Sequence, residues 1–180
     1  EMPVGLIREV METNVFSALE FAQPFIEHMI DRKSGKLVFV SSIAGLTTSP
    51  YLGAYNTSKY ALEAVVQSLR DELVPLGLNV ATINPGPYKT GFNDRMYESF
   101  NQWHDDDIHF TQKSDIEKAA KGLLGNQFDP KEMIDSMVKL IPIDTQKFRT
   151  ILPEMFVEKC KEYQNNQYDL KSDEVDPSKK

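Results

Sequence analysis

Between Val4 and about Ile30 the apolar residues Leu6, Val10, Val15, Ala18, Phe21 and Phe25 recur at helical spacing, and Ser34-Gly35 closes the segment, so a long helix is predicted. Leu37 to Val40 is an uninterrupted apolar run, the pattern of a parallel strand covered on both faces. From about Tyr51 to Leu76 the residues Leu62, Val65, Val66, Leu69 and Leu73 form one stripe, and Pro75 and Gly77 mark the end of a second long helix. Val80 to Ile83 predicts another buried strand, stopped by a turn at Asn84-Pro85-Gly86. Strands joined by helical crossovers are the pattern of a parallel sheet with helices on both faces, and the fold class is α/β.

Beyond Thr90 the periodicity weakens. A polar and aromatic stretch reaches Gln112 without a predicted element, and Ser114-Asp115 is expected to cap a helix that ends at Leu124. A helix from about Pro130 to Leu140 carries its proline in the first turn, where the missing N–H costs nothing. Phe148 to Leu152 reads as a last strand, and Pro153 opens a helix ending near Tyr163. Residues 1–164 are expected to form part of one domain. Residues 165–180, rich in Asn, Gln, Asp, Lys and Ser, have too little apolar surface to offset their ordering and are expected to fray.

Composition narrows the class. A hydrophobic fraction of 41% over 180 residues suits one ordinary core, and a net charge of -7 argues against a contact surface for nucleic-acid phosphates. No apolar run reaches the ~20 residues of a membrane-spanning helix. The single cysteine, Cys160, excludes an intramolecular disulfide and reads as a small apolar helix residue; it fits a reducing compartment, and the expected location is cytoplasmic. His104 and His109, among Asp105, Asp106 and Asp107, read as a solvated acidic loop with no metal, for want of a second ligand cluster. His28 near a helix end reads as a partner for the C-terminal dipole.

The chemistry concentrates in Ser41-Ser42-Ile43-Ala44-Gly45 and Tyr55-Asn56-Thr57-Ser58-Lys59. Tyr55 and Lys59 stand four apart on a helix and so share a face. A free phenol titrates near 10 and exchanges protons poorly at neutral pH, whereas a nearby ammonium favours the phenolate. Lowering a phenol from about 10 to about 7 needs roughly 4 kcal/mol of preferential stabilisation, which a close cation in a dry site, helped by a positive charge on a bound molecule, supplies. Lys59 is therefore expected to acidify Tyr55, and Tyr55 to act as general acid or base toward a substrate oxygen. Ser42, at the end of a buried strand, would hold that oxygen by hydrogen bond. The tyrosine–lysine pair alone is weak evidence; with Ser42 and the Pro-Gly turn it is specific, because all lie at the carboxyl ends of strands, where open α/β sheets bind ligands.

Ser-Ser-x-x-Gly after a strand, Tyr55-x-x-x-Lys59, and Asn84-Pro85-Gly86-Pro87-Tyr88-Lys89-Thr90 together resemble the short-chain dehydrogenase/reductase family, over Val4 to about Pro153. The resemblance implies a Rossmann-like, doubly wound parallel sheet and an oxidoreductase that moves a hydride between NAD or NADP and an alcohol or carbonyl carbon. It implies a catalytic set of Asn14, Ser42, Tyr55 and Lys59, with Asn14 holding a water that links Lys59 to solvent. Asn14, Tyr55, Lys59, Pro85, Gly86, Tyr88 and Thr90 would contact the nicotinamide end of the cofactor, Gly86 by permitting close backbone approach. The resemblance further implies that residues 1–164 are part of one catalytic domain with 89–145 as its substrate lid; Phe92, Tyr97, Phe100, Trp103 and Phe110 fall in that lid, and divide between an apolar pocket wall and ordinary packing. The implied partners are a small alcohol or carbonyl substrate, apolar in character, and further copies of the chain in a homodimer or homotetramer.

None of the nine glycines makes a G-x-G-x-x-G or G-x-x-x-x-G-K arrangement. The fold is therefore expected to be incomplete, later strands and helices only, with the dinucleotide-binding half supplied by a longer natural protein or a companion segment. The pattern leaves open a sensor or scaffold of the same fold without turnover, and an epimerase-like relative, although the latter carries a different segment at Asn84-Pro85-Gly86. NAD cannot be told from NADP in this stretch, because the discriminating residue follows an earlier strand.

Overall fold

The structure, a computed structural model, describes residues 1–174 and Asp176. It is α/β, with three parallel strands in the order β1 (Gly35–Val40), β2 (Leu78–Pro85) and β3 (Arg149–Leu152). Leu37 pairs with Val80 and Val40 with Ile83, while Asn84 pairs with Ile151 and Pro85 with Leu152. The expected turn at Asn84-Pro85 is thus corrected: both residues belong to β2, and the chain leaves the sheet at Gly86. Proline survives here because it stands at the strand's last position. Among the described residues the outer edge of β1 pairs with no strand.

The long first helix is interrupted. Helix α1 (Val4–Met11) passes through one π-helical turn, Glu12–Phe16, into α2 (Ser17–Asp31). A π turn inserts one residue per turn and rotates the following face, and such insertions cluster at functional sites. No glycine or proline marks it in the sequence. Helix α3 (Gly53–Leu73) continues as a 3-10 turn, Val74–Leu76, and ends on Gly77, whose φ of 89° lies in the left-handed region.

Alternation along the strands divides the core. Leu37, Phe39, Leu78 and Val80 face α2 and α3, burying Val15, Ala22, Leu62, Val66 and Leu73. Val38, Ile83 and Leu152 face the other way, against Tyr88, Phe128, Met133 and Met137. Met133 and Met137 belong to a later helix, numbered α6 below, so both faces of the sheet are covered as the pattern predicts. At ~25 cal/mol per Å² of apolar surface, each fully buried aliphatic side chain stabilises this packing by about 1.5–3 kcal/mol.

The stretch expected to lack an element holds α4 (Phe92–Glu98) and a 3-10 turn at Ser99–Gln102. Its apolar residues are aromatic and its first turn is polar, so periodicity alone does not expose it. Helix α5 (Lys113–Leu124) begins one residue before Ser114, and its cap is not Ser114 or Asp115. The carboxylate of Asp106 instead accepts from Lys113 N at 2.7 Å. Helix α6 (Pro130–Leu140) has proline in its first turn as expected, with Asp129 accepting from Lys131 N at 2.8 Å. After α6 the chain is pinned to the start of β1, because the Lys36 ammonium donates to the carbonyls of Leu140, Ile141 and Ile143 and to Gln146 Oε1.

Helix α7 (Phe156–Asn166) starts three residues after Pro153 and buries Cys160 and Tyr163; burial pushes the Cys160 thiol above its ordinary value. Of the expected tail, Val175 and residues 177–180 lie outside the described residues. No helix among the described residues is long and apolar enough to cross a membrane.

Candidate active site

Ser41 and Ser42 leave the carboxyl end of β1 and lead into a 3-10 turn at Ile43–Gly45. Ser42 caps that turn: its Oγ accepts from Ala44 N at 3.1 Å and donates to the Pro85 carbonyl at 3.3 Å. The turn lies against α3 so closely that a Cβ on Gly45 would meet Lys59 O at 2.8 Å and Glu63 Cγ at 2.9 Å. Only glycine lets β1 turn there, and the turn brings Ser42 to the first turns of α3.

Tyr55 lies near the N-terminus of α3 and Lys59 one turn on, with the Lys59 ammonium 5.8 Å from the centre of the Tyr55 ring. The ammonium donates to the Val40 carbonyl at 3.3 Å, which ties α3 to the end of β1. The Tyr55 ring also meets Phe92 of α4, with centroids 5.5 Å apart. Asn14 sits inside the π turn; its Nδ2 donates to Ser58 Oγ at 3.0 Å, and Ser58 donates to the Tyr55 carbonyl at 2.8 Å. The inserted turn thus anchors Asn14 to the helix that carries Tyr55.

The electrostatics differ from expectation. Burial pushes the Tyr55 phenol above its ordinary value, and the facing Ser42 hydroxyl opposes that shift. Burial also lowers the Lys59 ammonium, which the Glu63 carboxylate counteracts. The expected acidification of Tyr55 by Lys59 is therefore corrected in direction: among the residues present, burial of the phenol is the larger effect and pushes it up.

Asn14, Ser42, Tyr55, Lys59, Pro85, Gly86, Tyr88 and Thr90 all line one cavity of about 360 Å³. Ser41 Oγ and the Tyr88 hydroxyl, both in its wall, are buried without a hydrogen-bond partner, so the wall has polar capacity that a polar guest would satisfy. Gly86 also serves local packing: a Cβ there would meet Phe156 Cε2 at 3.2 Å and Leu152 O at 3.4 Å, so glycine lets the Phe156 ring of α7 approach, and its N–H donates to Leu152 O at 2.7 Å. The Thr90 hydroxyl accepts from Phe92 N at 3.4 Å, at the start of α4.

The aromatic residues divide individually. Phe92 lines the cavity, whereas Phe100 is buried with Leu52 and Ile116 beneath Tyr97 and Trp103, and Phe110 is exposed. Apolar lining comes also from Leu52, Met96, Leu123, Met133 and Met137. His104 and His109 stack 5.2 Å apart and hydrogen bond within their own loop, to Thr111 O and to the Asp105 backbone.

The sequence pattern did not single out Glu63, and it placed Asn84 only in a turn and a family motif; the two meet in the interior. Asn84 Nδ2 donates to Glu63 Oε1 at 2.6 Å and to the Ser42 carbonyl at 3.2 Å. Glu63 Oε2 accepts from Arg149 Nε at 2.7 Å, and Thr82 Oγ1 donates to Asn84 Oδ1 at 3.0 Å. The available signal was spacing, since Glu63 follows Lys59 by one helical turn and shares the face of Tyr55 and Lys59.

A parallel α/β sheet with a partly polar cavity at its strands' carboxyl ends is the form of a ligand-binding or catalytic open-sheet domain. The chain belongs to the short chain dehydrogenase family, whose pattern it matches over residues 1–100. It is 31% identical over 150 residues to the uncharacterized oxidoreductase YusZ of Bacillus subtilis, covering 78% of this chain and 50% of that one. It is 36% identical over 110 residues to the NADPH-dependent 3-dehydrocapnine reductase of Ornithobacterium rhinotracheale, covering 59% of this chain and 39% of that one. The fold is similar to a short chain dehydrogenase/reductase from Burkholderia phymatum solved in complex with NAD, with a TM-score of 0.70 at 16% identity, covering 92% of this chain and 60% of that one. The chain thus spans half or less of the length of those two curated relatives.

Proposed function

We propose that this chain is the catalytic half of an NAD(P)-dependent oxidoreductase that interconverts a carbonyl and an alcohol, with Tyr55 as general acid and base. The observation that carries this reading is the convergence of Asn14, Ser42, Tyr55, Lys59 and the Pro85–Thr90 segment on one cavity. The same relation to the family supports residues 1–164 as part of one domain with 89–145 as its lid, and assembly into homo-oligomers.

Bound nicotinamide would supply or accept the hydride at the substrate carbon. The residues to hold its ring are those of Pro85 to Thr90 along the cavity wall, with Asn14, Tyr55 and Lys59 opposite. A space of about 360 Å³ suits that ring and a small carbonyl, at the lower end of ligand-site sizes, and the rest of a dinucleotide would lie against residues outside this chain.

A phenol carries its proton at neutral pH and burial pushes that of Tyr55 further up, so the group can donate to a carbonyl oxygen as negative charge develops there. Ser42 Oγ faces the phenol, and its long bond to Pro85 O is readily exchanged for one to the same substrate oxygen. The Lys59 ammonium, favoured by Glu63, steadies the phenolate left after donation. Asn14, held on Ser58, stands at the cavity wall to hold a water on the route by which the proton is replaced. Met96, Leu123, Met133 and Met137 favour a substrate whose carbonyl is carried on an apolar body, because methionines fill irregular apolar space without a fixed shape.

The test uses a polypeptide that supplies the nucleotide-binding half ahead of residue 1, followed by NAD(P)H absorbance with a panel of apolar ketones. Turnover that Tyr55→Phe lowers by about 10²–10⁴-fold is the expected result. Equal rates in the two proteins would defeat the assignment, and nucleotide binding without turnover of any ketone would favour the sensor reading.

A further inference from the structure

The Glu63 carboxylate is 5% exposed and lies in the core side of α3, yet it touches none of the cavity-lining groups assigned above by a hydrogen bond. A buried carboxylate is costly unless each oxygen is satisfied, and here both are: one by the Asn84 amide, the other by the Arg149 guanidinium. Arg149 is further fixed by Gln67 Oε1 at 3.0 Å and by the Phe148 ring 4.9 Å from its carbon. Asn84 is fully buried and spends every atom of its amide group: Oδ1 on Thr82, and Nδ2 on both Glu63 and the Ser42 carbonyl.

The network therefore joins α3, β2 and β3 and ends on the backbone of Ser42 at the end of β1. The carbonyl that Asn84 holds belongs to the same residue whose hydroxyl faces Tyr55, and Glu63 packs over the following turn at Gly45. A carbonyl held on one side and a hydroxyl on the other leave Ser42 little freedom to swing. An apolar pair at these positions would fill the same volume and avoid the desolvation cost, so holding the core together does not by itself call for these residues.

We propose that Glu63 and Asn84 are positioning residues, which fix the backbone of Ser42 so that its hydroxyl meets the substrate oxygen shared with Tyr55. This rests on the catalytic reading of the cavity given above. A displacement of about 1 Å in such a group is enough to slow turnover by about 100-fold, even where nucleotide binding is intact.

The decisive variant exchanges the two functional groups, Glu63→Gln together with Asn84→Asp, in the polypeptide with its nucleotide-binding half. The exchange keeps one carboxylate, the contact between positions 63 and 84, and an acceptor for Thr82, but removes the donor to the Ser42 carbonyl. The expected result is a kcat lowered by about tenfold to 100-fold, with NADPH or NADH affinity, read by fluorescence titration, within about twofold of the parent. A kcat within about threefold of the parent overturns the proposal, as does a loss of nucleotide affinity that parallels the loss of kcat. If circular dichroism shows the exchanged protein unfolded, Asn84→Ala takes its place, with the same two measurements and the same thresholds for and against. Ser42→Ala and Tyr55→Phe run alongside: full turnover in both would show that the catalytic reading itself had failed, a result distinct from full turnover in the exchanged protein alone.

Discussion

The ammonium of Lys59 lies 5.8 Å from the centre of the Tyr55 ring while its hydrogen bond goes to the carbonyl of Val40, so the lysine braces the strand end as well as facing the phenol. Burial nevertheless pushes the phenol above its ordinary value, a shift that the Ser42 hydroxyl opposes. General acid catalysis contributes about 10²–10⁴-fold, so Tyr55→Phe is expected to lower kcat by that factor. Nucleotide affinity and the thermal midpoint should change little, because the ring and its contact with Phe92 remain. Steady-state kinetics, nucleotide titration and thermal unfolding check the three parts separately.

Tyr88 gives a prediction at alkaline pH. Its ring is buried and its hydroxyl has no partner; burial first, and the Glu132 charge second, push it up to about 12. A folded-state value above the unfolded value of about 10 contributes stability that is complete below pH ~10 and is lost as pH rises toward ~12. Removal of the hydroxyl in Tyr88→Phe should leave stability at pH 7 unchanged or improved, since no hydrogen bond is broken. Between pH 9 and 12 the parent should lose about 2 kcal/mol more than the variant, measured by urea unfolding at each pH.

Gly45 is the closest approach between the turn after β1 and α3. A methyl group there meets the Lys59 carbonyl at 2.8 Å and Glu63 Cγ at 2.9 Å, one of them backbone, so α3 has to move. Gly45→Ala is expected to cost about 1–3 kcal/mol of stability, the usual range for an overpacked site. It should also reduce turnover at temperatures below unfolding, because the displaced helix carries Tyr55 and Lys59. Denaturant midpoints that match the parent would contradict this.

Lys36 joins the start of β1 to the end of α6 through three carbonyls and Gln146. Lys36→Met retains the stem and removes the charged donor, so the expected loss is about 1.5–3 kcal/mol, the range for hydrogen bonds to a charged group. Limited proteolysis should then cut first between residues 140 and 148, where the released carbonyls lie. An unchanged cleavage pattern would count against the pinning role.

The sequence alone determined the alternation of strands and helices and the face shared by Tyr55 and Lys59. These depend on spacing of 2 or 3.6 residues and on turn residues such as Gly77, which act between near neighbours in the chain. It determined also that Ser42 and the Pro85–Thr90 segment fall at strand ends. The tertiary structure alone decided that Asn84 belongs to a strand interior, that Asn14 sits in a π turn, and that Phe92 rather than Phe100 meets Tyr55. It decided the direction in which the Tyr55 phenol is shifted as well, because desolvation depends on what packs around a group and not on its neighbours in sequence. Glu63, Asn84 and Arg149 show the reason most clearly: the partners stand 21 and 86 positions apart, each ordinary in its local window, and only packing of the helix on the sheet brings the charge and its donors into one buried contact.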